Sequence, residues 1–282
     1  MYRTLIDAGQ LQVLRQLGAD VVVFDCRHDL ANPALGAQQY AQGRIPSAWF
    51  AHLDTDLSGA KTGKNGRHPL PDRAEFLRWL QARGVGDGTQ VVCYDAAGGM
   101  FAARLWWMVR WIGKSQAAVL DGGLPAWTAA GGAIDTMPPQ AKPAQLTLRN
   151  SLVPTVDADE VLANIASRTH ALVDARAPER YAGEQEMIDP VAGHIPGALN
   201  RFFKDNLQAD GRFKEAGQLR AEWIGLLGDQ PDVIHQCGSG ATACHNILAM
   251  EIARLGVHPL YPGSWSEWCA DPARPVATGR MP

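Results

Sequence analysis

Four blocks of this sequence recur in the same order. "VVVFDCR" (21–27) matches "ALVDARA" (171–177), each an apolar, mostly β-branched run that closes on Asp-x-Arg. "GRIPSAWF" (43–50) matches "GHIPGALN" (193–200), "QVVCYDAAGG" (90–99) matches "DVIHQCGSGA" (232–241), and "VLDGGLPAW" (119–127) matches "LYPGSWSEW" (260–268). The offset between partners drifts only from about 150 to about 141 residues. Blocks in one order at a nearly constant offset mark a tandem duplication, which requires two similar folding units. A length of 282 residues suits two domains of ordinary size. Between the copies, "TMPPQAKPAQLTLRNSLVPT" (136–155) carries four prolines and no helical period. Proline fixes φ and removes a donor, so an extended surface linker is expected over 136–153, between domains at 1–135 and 154–282.

Each copy alternates short β-branched runs with longer amphipathic stretches. In the second, "HALVDA" and "DVIHQC" read as strands, and "LRAEWIGLLG" and "ATACHNILAMEIARLG" as helices. The latter places Ala243, Ile247, Leu248, Ile252 and Leu255 on one buried face, with Gly256 as the stop. This alternation predicts an α/β fold, each domain a mainly parallel sheet flanked by helices. In such sheets chemistry collects at the carboxyl ends of the strands, where Asp174 and Cys237 fall.

Composition narrows the function. The net charge of -3, without a basic run, argues against nucleic acid or a membrane surface as partner. The five cysteines (Cys26, Cys93, Cys237, Cys244, Cys269) lack CxxC spacing, which argues against a disulfide framework and a structural metal site. The most apolar stretch, "MFAARLWWMVRWIG", is broken by Arg104 and Arg110 and is too short to span a bilayer. The N-terminal residues lack a secretory pattern, so a soluble cytoplasmic protein is expected.

The segment "HQCGSGATACHN" (235–246) reads as strand, cysteine, small residues, helix. Gly238, Ser239, Gly240, Ala241 and Thr242 have little bulk, and the two glycines permit a positive φ, so backbone N–H groups can turn inward. The helix N-terminus adds unpaired donors and the positive end of its dipole. Such a cradle stabilises a thiolate, and the thiolate is the nucleophile. The hydroxyls of Ser239 and Thr242 add donors. The sister copy carries Asp95 at the matching position, which predicts a catalytic second domain and a non-catalytic first one.

Together the Asp-x-Arg pairs, "GRIPSA" and "GHIPGA", "CGSGATA" and the terminal "GSWSEW" resemble the tandem-domain rhodanese-like sulfurtransferases over nearly the whole chain. The resemblance implies two rhodanese-like domains and no cofactor. Cys237 would take a sulfane sulfur as a persulfide and pass it to cyanide, to a small thiol or to a protein thiol such as thioredoxin. Thiosulfate-preferring members resemble "CRKGVTA", whose cations neutralise a doubly charged donor. "CGSGATA" is one residue from the "CGSGVTA" of 3-mercaptopyruvate members, which favours that donor and leaves thiosulfate possible. The resemblance also makes Ser239 an aid to proton movement, and makes Arg180, His68 and Asp56 substrate-binding residues. It leaves Asp25, Arg27, Asp174 and Arg176 to strand-end ion pairs, and Trp265 and Trp268 to packing.

One region departs from the pattern. Where mercaptopyruvate members carry a second arginine in an "EPR" triplet, this chain has "GEQEMIDPVAGHIPG", with Glu184, Glu186 and Asp189. Arg67 or His68 in "KNGRHPLP" is the candidate replacement. Two other functions compete. A cysteine phosphatase needs an arginine at the loop's end, and none lies between Cys237 and Arg254. A sulfur-relay or redox-sensing protein would use the same cradle without turnover.

Overall fold

Both halves build parallel sheets, and the strand order repeats. The computed structural model describes residues 1–140, 142–230 and 232–282. It divides into two compact units: Met1–Gly59 with Pro71–Leu152 and Leu207–Phe213, and Ala60–Leu70 with Val153–Asn206 and Lys214–Pro282. Each unit therefore takes in a segment from the other's part of the sequence.

The first unit runs β1 (Leu5–Ile6), α1 (Ala8–Gln16), β2 (Val21–Asp25), α2 (Ala34–Gln42), β3 (Trp49–Phe50), α3 (Arg73–Gln81), β4 (Gln90–Tyr94), α4 (Ala102–Trp111), β5 (Ala117–Leu120) and α5 (Gly123–Ala129). Its sheet has the order β1-β5-β4-β2-β3, parallel throughout. Asp7 caps α1 through a capping box with Gln10, and Asp72 caps α3 by accepting from Ala74 and Glu75 N–H. Val23, Val92, Ala118 and Leu120 of the sheet pack with Leu11 and Trp127 into one core. α4 is buried along nearly its whole length, Arg104 included, so its continuous apolar run reflects a core helix. Among the described residues no helix is long and apolar enough to cross a membrane.

The second unit runs α6 (Ala158–Ser167), β6 (Ala171–Asp174), α7 (Pro178–Tyr181), β7 (Leu199–Asn200), a 3-10 turn (Phe203–Asn206), α8 (Ala216–Leu227), β8 (Val233–Gln236), α9 (Thr242–Ile252) and α10 (Ser264–Trp268). Its strands order β7-β6-β8, again parallel. Single bridges then join His235 to Leu260 and Leu260 to Thr155. The second sheet thus continues in the order of the first, with strands β5 and β1 reduced to one bridging residue each. Val161, Leu172, Ile234, Trp265 and Trp268 form its core. Helix α9 ends at Ile252, four residues before the expected stop, because Arg254 already takes a left-handed φ of 55°.

The stretch read as a linker carries no regular helix or strand among its described residues; Ala141 lies outside them. From Ala144 to Leu152 it is tied to the first unit. Ala144 N–H donates to Gln81 O (3.1 Å), Arg149 N–H to Ile112 O (3.1 Å) and Leu152 N–H to Arg110 O (3.1 Å).

Candidate active site

Cys237 leaves the carboxyl end of β8 directly. β8 pairs with β6 so that Gln236 lies opposite Asp174, which puts the next residue at the sheet's carboxyl edge. Its backbone is held on both sides. Cys237 O accepts from Trp265 N–H (2.9 Å), and Cys237 N–H donates to Ser264 Oγ (3.1 Å). Ser264 Oγ donates in turn to Tyr261 O (2.9 Å). Ser264 takes a φ of 54°, a left-handed conformation that costs a non-glycine residue. The matched position in the first copy, Gly123, has a φ of 57°. A serine kept where the sister has glycine places a hydroxyl against the Cys237 amide. Aligning "DGGLPAW" with "PGSWSEW" was the available signal for Ser264.

The loop is a cradle, although its two glycines act differently. Gly240 takes a φ of 76°, and its N–H donates to Cys237 Sγ at 3.1 Å. Gly238, expected to curl in the same way, has no left-handed φ. It supplies room instead. A Cβ at Gly238 would lie 3.1 Å from Arg67 Nη2 and 3.4 Å from Arg180 Nη1. Two guanidiniums therefore stand over this residue. The loop carries no positive side chain of its own, and the positive groups reach in from elsewhere in the unit. Ala241 and Thr242 complete the turn into α9, whose N-terminus has no side-chain cap. Cys244 Sγ bonds Gly240 O (3.3 Å), the geometry of a thiol tied back to its own helix.

Ser239 Oγ lies 2.7 Å from His68 Nδ1, and both residues are buried. His68 and Arg67 belong to the Ala60–Leu70 segment that the second unit takes in, so the chain returns to Cys237 across 169 residues. Arg180, at the end of α7, bonds the Glu186 carboxylate through Nε and Nη2 (3.0–3.1 Å) and Asp189 Oδ2 through Nη2 (2.9 Å). Arg67 Nη1 reaches Asp189 Oδ1 at 2.5 Å. Burial pushes the Glu186 carboxyl up, but the Asp189 and Ile188 N–H groups and the Arg180 guanidinium outweigh it and hold the group below its ordinary range. Asp56 lies outside the unit that holds Cys237. It belongs to the first unit, where its oxygens accept from His52 N–H (2.8 Å) and Trp79 Nε1–H (3.0 Å).

The Asp-x-Arg pairs are strand-end clips in both copies. Arg27 Nη2 bonds Asp25 Oδ2 (2.6 Å) and Gly43 O (2.6 Å); Arg176 Nη2 bonds Asp174 Oδ2 (2.6 Å) and Gly193 O (2.8 Å). Trp265 is fully buried, with the Arg176 guanidinium 4.7 Å from its ring centre. Burial, together with Asp95 among other neighbouring groups, pushes Cys26 and Cys93 well up, and burial also raises Cys269. In the first unit, His28, His52 and Asp54 bring ligand-type atoms within 4.8 Å of one another. There His52 Nδ1 already accepts Asp54 N–H (3.1 Å), which leaves the ring proton on Nε2 and that set short of one lone pair.

Comparison with known proteins agrees with this architecture. The model of the rhodanese-like domain matches twice, over residues 9–130 and 157–271. A probable 3-mercaptopyruvate sulfurtransferase of Pseudomonas aeruginosa is 46% identical over 97% of this chain and 100% of its own length. A putative thiosulfate sulfurtransferase of Mycobacterium tuberculosis is 38% identical over 98% of each. Among solved structures, 3-mercaptopyruvate sulfurtransferase from Leishmania major superposes with a TM-score of 0.82 at 32% identity, covering 94% of this chain and 74% of that one. The duplication, the repeated strand order and these matches place the chain in the rhodanese family, with two rhodanese-like domains in tandem.

Proposed function

We propose that this sulfurtransferase carries sulfur as a persulfide on Cys237 and draws it from 3-mercaptopyruvate in preference to thiosulfate. The sulfurtransferase activity follows from the family and from relatives that match the whole chain. The observation that carries the Cys237 reading is the Gly240 N–H aimed at Cys237 Sγ inside a loop of small residues. A persulfide's outer sulfur is large, soft and partly anionic, and backbone donors of this kind suit it.

In the first half-reaction Cys237 sulfur attacks the donor sulfur. An S–S bond forms, the donor's C–S bond breaks, and its electron pair leaves as pyruvate enolate. The proton given up by the Cys237 thiol ends on the enolate carbon, so the step balances with no other reactant. Ser239 and His68, 2.7 Å apart beside the loop, form the relay for that proton. Arg180 holds the donor's carboxylate, a pairing that suits a guanidinium fork. In the second half-reaction cyanide or a thiol, including a protein thiol such as thioredoxin, attacks the outer sulfur and frees Cys237. The second domain is catalytic in this scheme. The first, with Asp95 in place of the cysteine, is a scaffold.

The test is a steady-state assay of 3-mercaptopyruvate beside thiosulfate, with cyanide and a dithiol as acceptors. Cys237→Ser should lose more than about a thousandfold in kcat. Full activity in that variant would overturn the mechanism. A thiosulfate kcat/KM more than about tenfold above that for 3-mercaptopyruvate, roughly 1.4 kcal/mol, would overturn the donor preference. Sulfur loading without release to either small acceptor would favour a relay protein instead.

A further inference from the structure

The acidic stretch "GEQEMIDPVAG" stands where a second donor-binding arginine is expected, and the geometry gives that stretch a use. Asp189 is a bridge: one oxygen holds Arg67 Nη1 (2.5 Å) and the other holds Arg180 Nη2 (2.9 Å). Glu186 fixes the bridge from behind. Its Oε1 accepts the Ile188 and Asp189 N–H groups (2.9 and 3.0 Å), and its carboxylate forks onto Arg180. Both acids are buried, each side chain only 3% exposed. Arg180 thus spends its Nε–Nη2 edge on the acids and Arg67 its Nη1. Arg67 Nη2 and Arg180 Nη1, the terminal nitrogens left over, are the ones that lie above Gly238. Among the described residues neither of these nitrogens has a protein hydrogen-bond partner.

We propose that Asp189 is a positioning residue that recruits Arg67 as the second guanidinium of the donor site, and that the acids which hold this pair make the site select a monoanion over a dianion. The proposal rests on the reading that a donor is held over the Cys237 loop. The charges of Arg67 and Arg180 are balanced by Glu186 and Asp189, just as Arg176 is balanced by Asp174. The clamp offers directed N–H donors with no net positive charge. A mercaptopyruvate carboxylate can take two such donors, and as a monoanion it loses less than a dianion does when the net charge is cancelled. Thiosulfate, a dianion at neutral pH, gains twice as much from a net charge, and here that charge is cancelled. Gly238 then leaves the pair its room, since a Cβ there would press on Arg67 Nη2 at 3.1 Å and touch Arg180 Nη1 at 3.4 Å.

The test reads equilibrium binding without turnover, so it stands apart from the persulfide mechanism. In a Cys237→Ser background, calorimetric titration gives Kd for 3-mercaptopyruvate and for thiosulfate. Arg67→Met keeps the apolar stem and should weaken 3-mercaptopyruvate about tenfold or more, and Arg67→Lys should restore less than half of that in log Kd. Asp189→Asn should raise the affinity for thiosulfate relative to 3-mercaptopyruvate by about threefold or more, because it uncovers one positive charge. A merely structural role for Asp189 would weaken both donors by one factor. That result overturns the proposal, as does a change below twofold for 3-mercaptopyruvate in Arg67→Met. Turnover by Cys237→Ser would instead refute the persulfide reading and leave the binding result intact.

Discussion

The two strand-to-helix loops, one after β4 and one after β8, start from the same place and end in opposite chemistry. Asp95 and Cys237 each follow a strand whose last residue pairs with the Asp of an Asp-x-Arg clip. Each gives its carbonyl to the first turn of a short helix, Asp95 O to Leu124 N–H (2.8 Å) and Cys237 O to Trp265 N–H (2.9 Å). In the first loop the carboxylate fills its own cradle: Oδ1 accepts from Ala97 and Gly99 N–H, and Oδ2 from Phe101 and Ala102 N–H, all within 3.0 Å. That carboxylate also caps α4, which has no other side-chain cap. In the second loop the Gly240 N–H donates to the Cys237 sulfur at 3.1 Å. On the proposed reading the cradle is an anion site in both copies: the first closes it permanently with the Asp95 carboxylate, and the second leaves a thiol whose persulfide would occupy it and depart.

If that contrast is right, Asp95 is a stability residue. Asp95→Asn keeps one acceptor oxygen and turns an NH2 toward two N–H groups, so it should cost about 2–4 kcal/mol in urea unfolding. Turnover per folded molecule should stay within twofold. Lost turnover with unchanged stability would break the comparison.

Ser264 sharpens it next. Ser264→Gly copies the sister residue Gly123, removes the strained φ and deletes the acceptor for Cys237 N–H. Stability should change by less than about 1 kcal/mol, since backbone relief offsets the lost hydrogen bond. The kcat/KM should fall about tenfold, equivalent to roughly 1.4 kcal/mol. An unchanged kcat/KM would show that this hydroxyl only repeats what glycine does in the first unit.

The smallest effect concerns acid. Arg27 pairs with Asp25, whereas Arg176 pairs with Asp174 and also approaches Glu186 at 3.7 Å. Glu186 is held below its ordinary 4.5, so its contribution to stability is complete above that pH and is lost as pH falls through the lowered value. Glu186→Gln should therefore flatten the acid limb of the stability curve below about pH 4.5 and change its slope little at neutral pH. A variant that steepened that limb would reverse the sign assigned to Glu186.

How much of this the chain displayed in its sequence depends on distance along it. The duplication, the parallel strands and the Cys237 loop were legible because each is written in a short run with its own period or turn chemistry. The strand equivalents at Thr155 and Leu260 were not, since a single bridging residue has no period. Gly238 illustrates the harder case. Its glycine looked like a conformational requirement, but the space it leaves open faces two guanidiniums from positions 67 and 180, which no local pattern predicts. The acidic loop read as the loss of a clamp because spacing alone cannot show that Asp189 faces Arg67 across 122 residues. Asp56 was matched by residue type with the spacing one residue off, and its bonds to His52 and Trp79 within the first unit are likewise written in no short run.

The central claim is that sulfur rides on Cys237, and peptide-resolved mass spectrometry after brief donor treatment tests it most directly. One added sulfur atom on the Cys237 peptide, lost again on adding cyanide, is the predicted result. The peptides of Cys93 and Cys26, whose thiols burial pushes up, should carry none. Added sulfur on either of those, or turnover with no sulfur ever found on Cys237, would contradict the account.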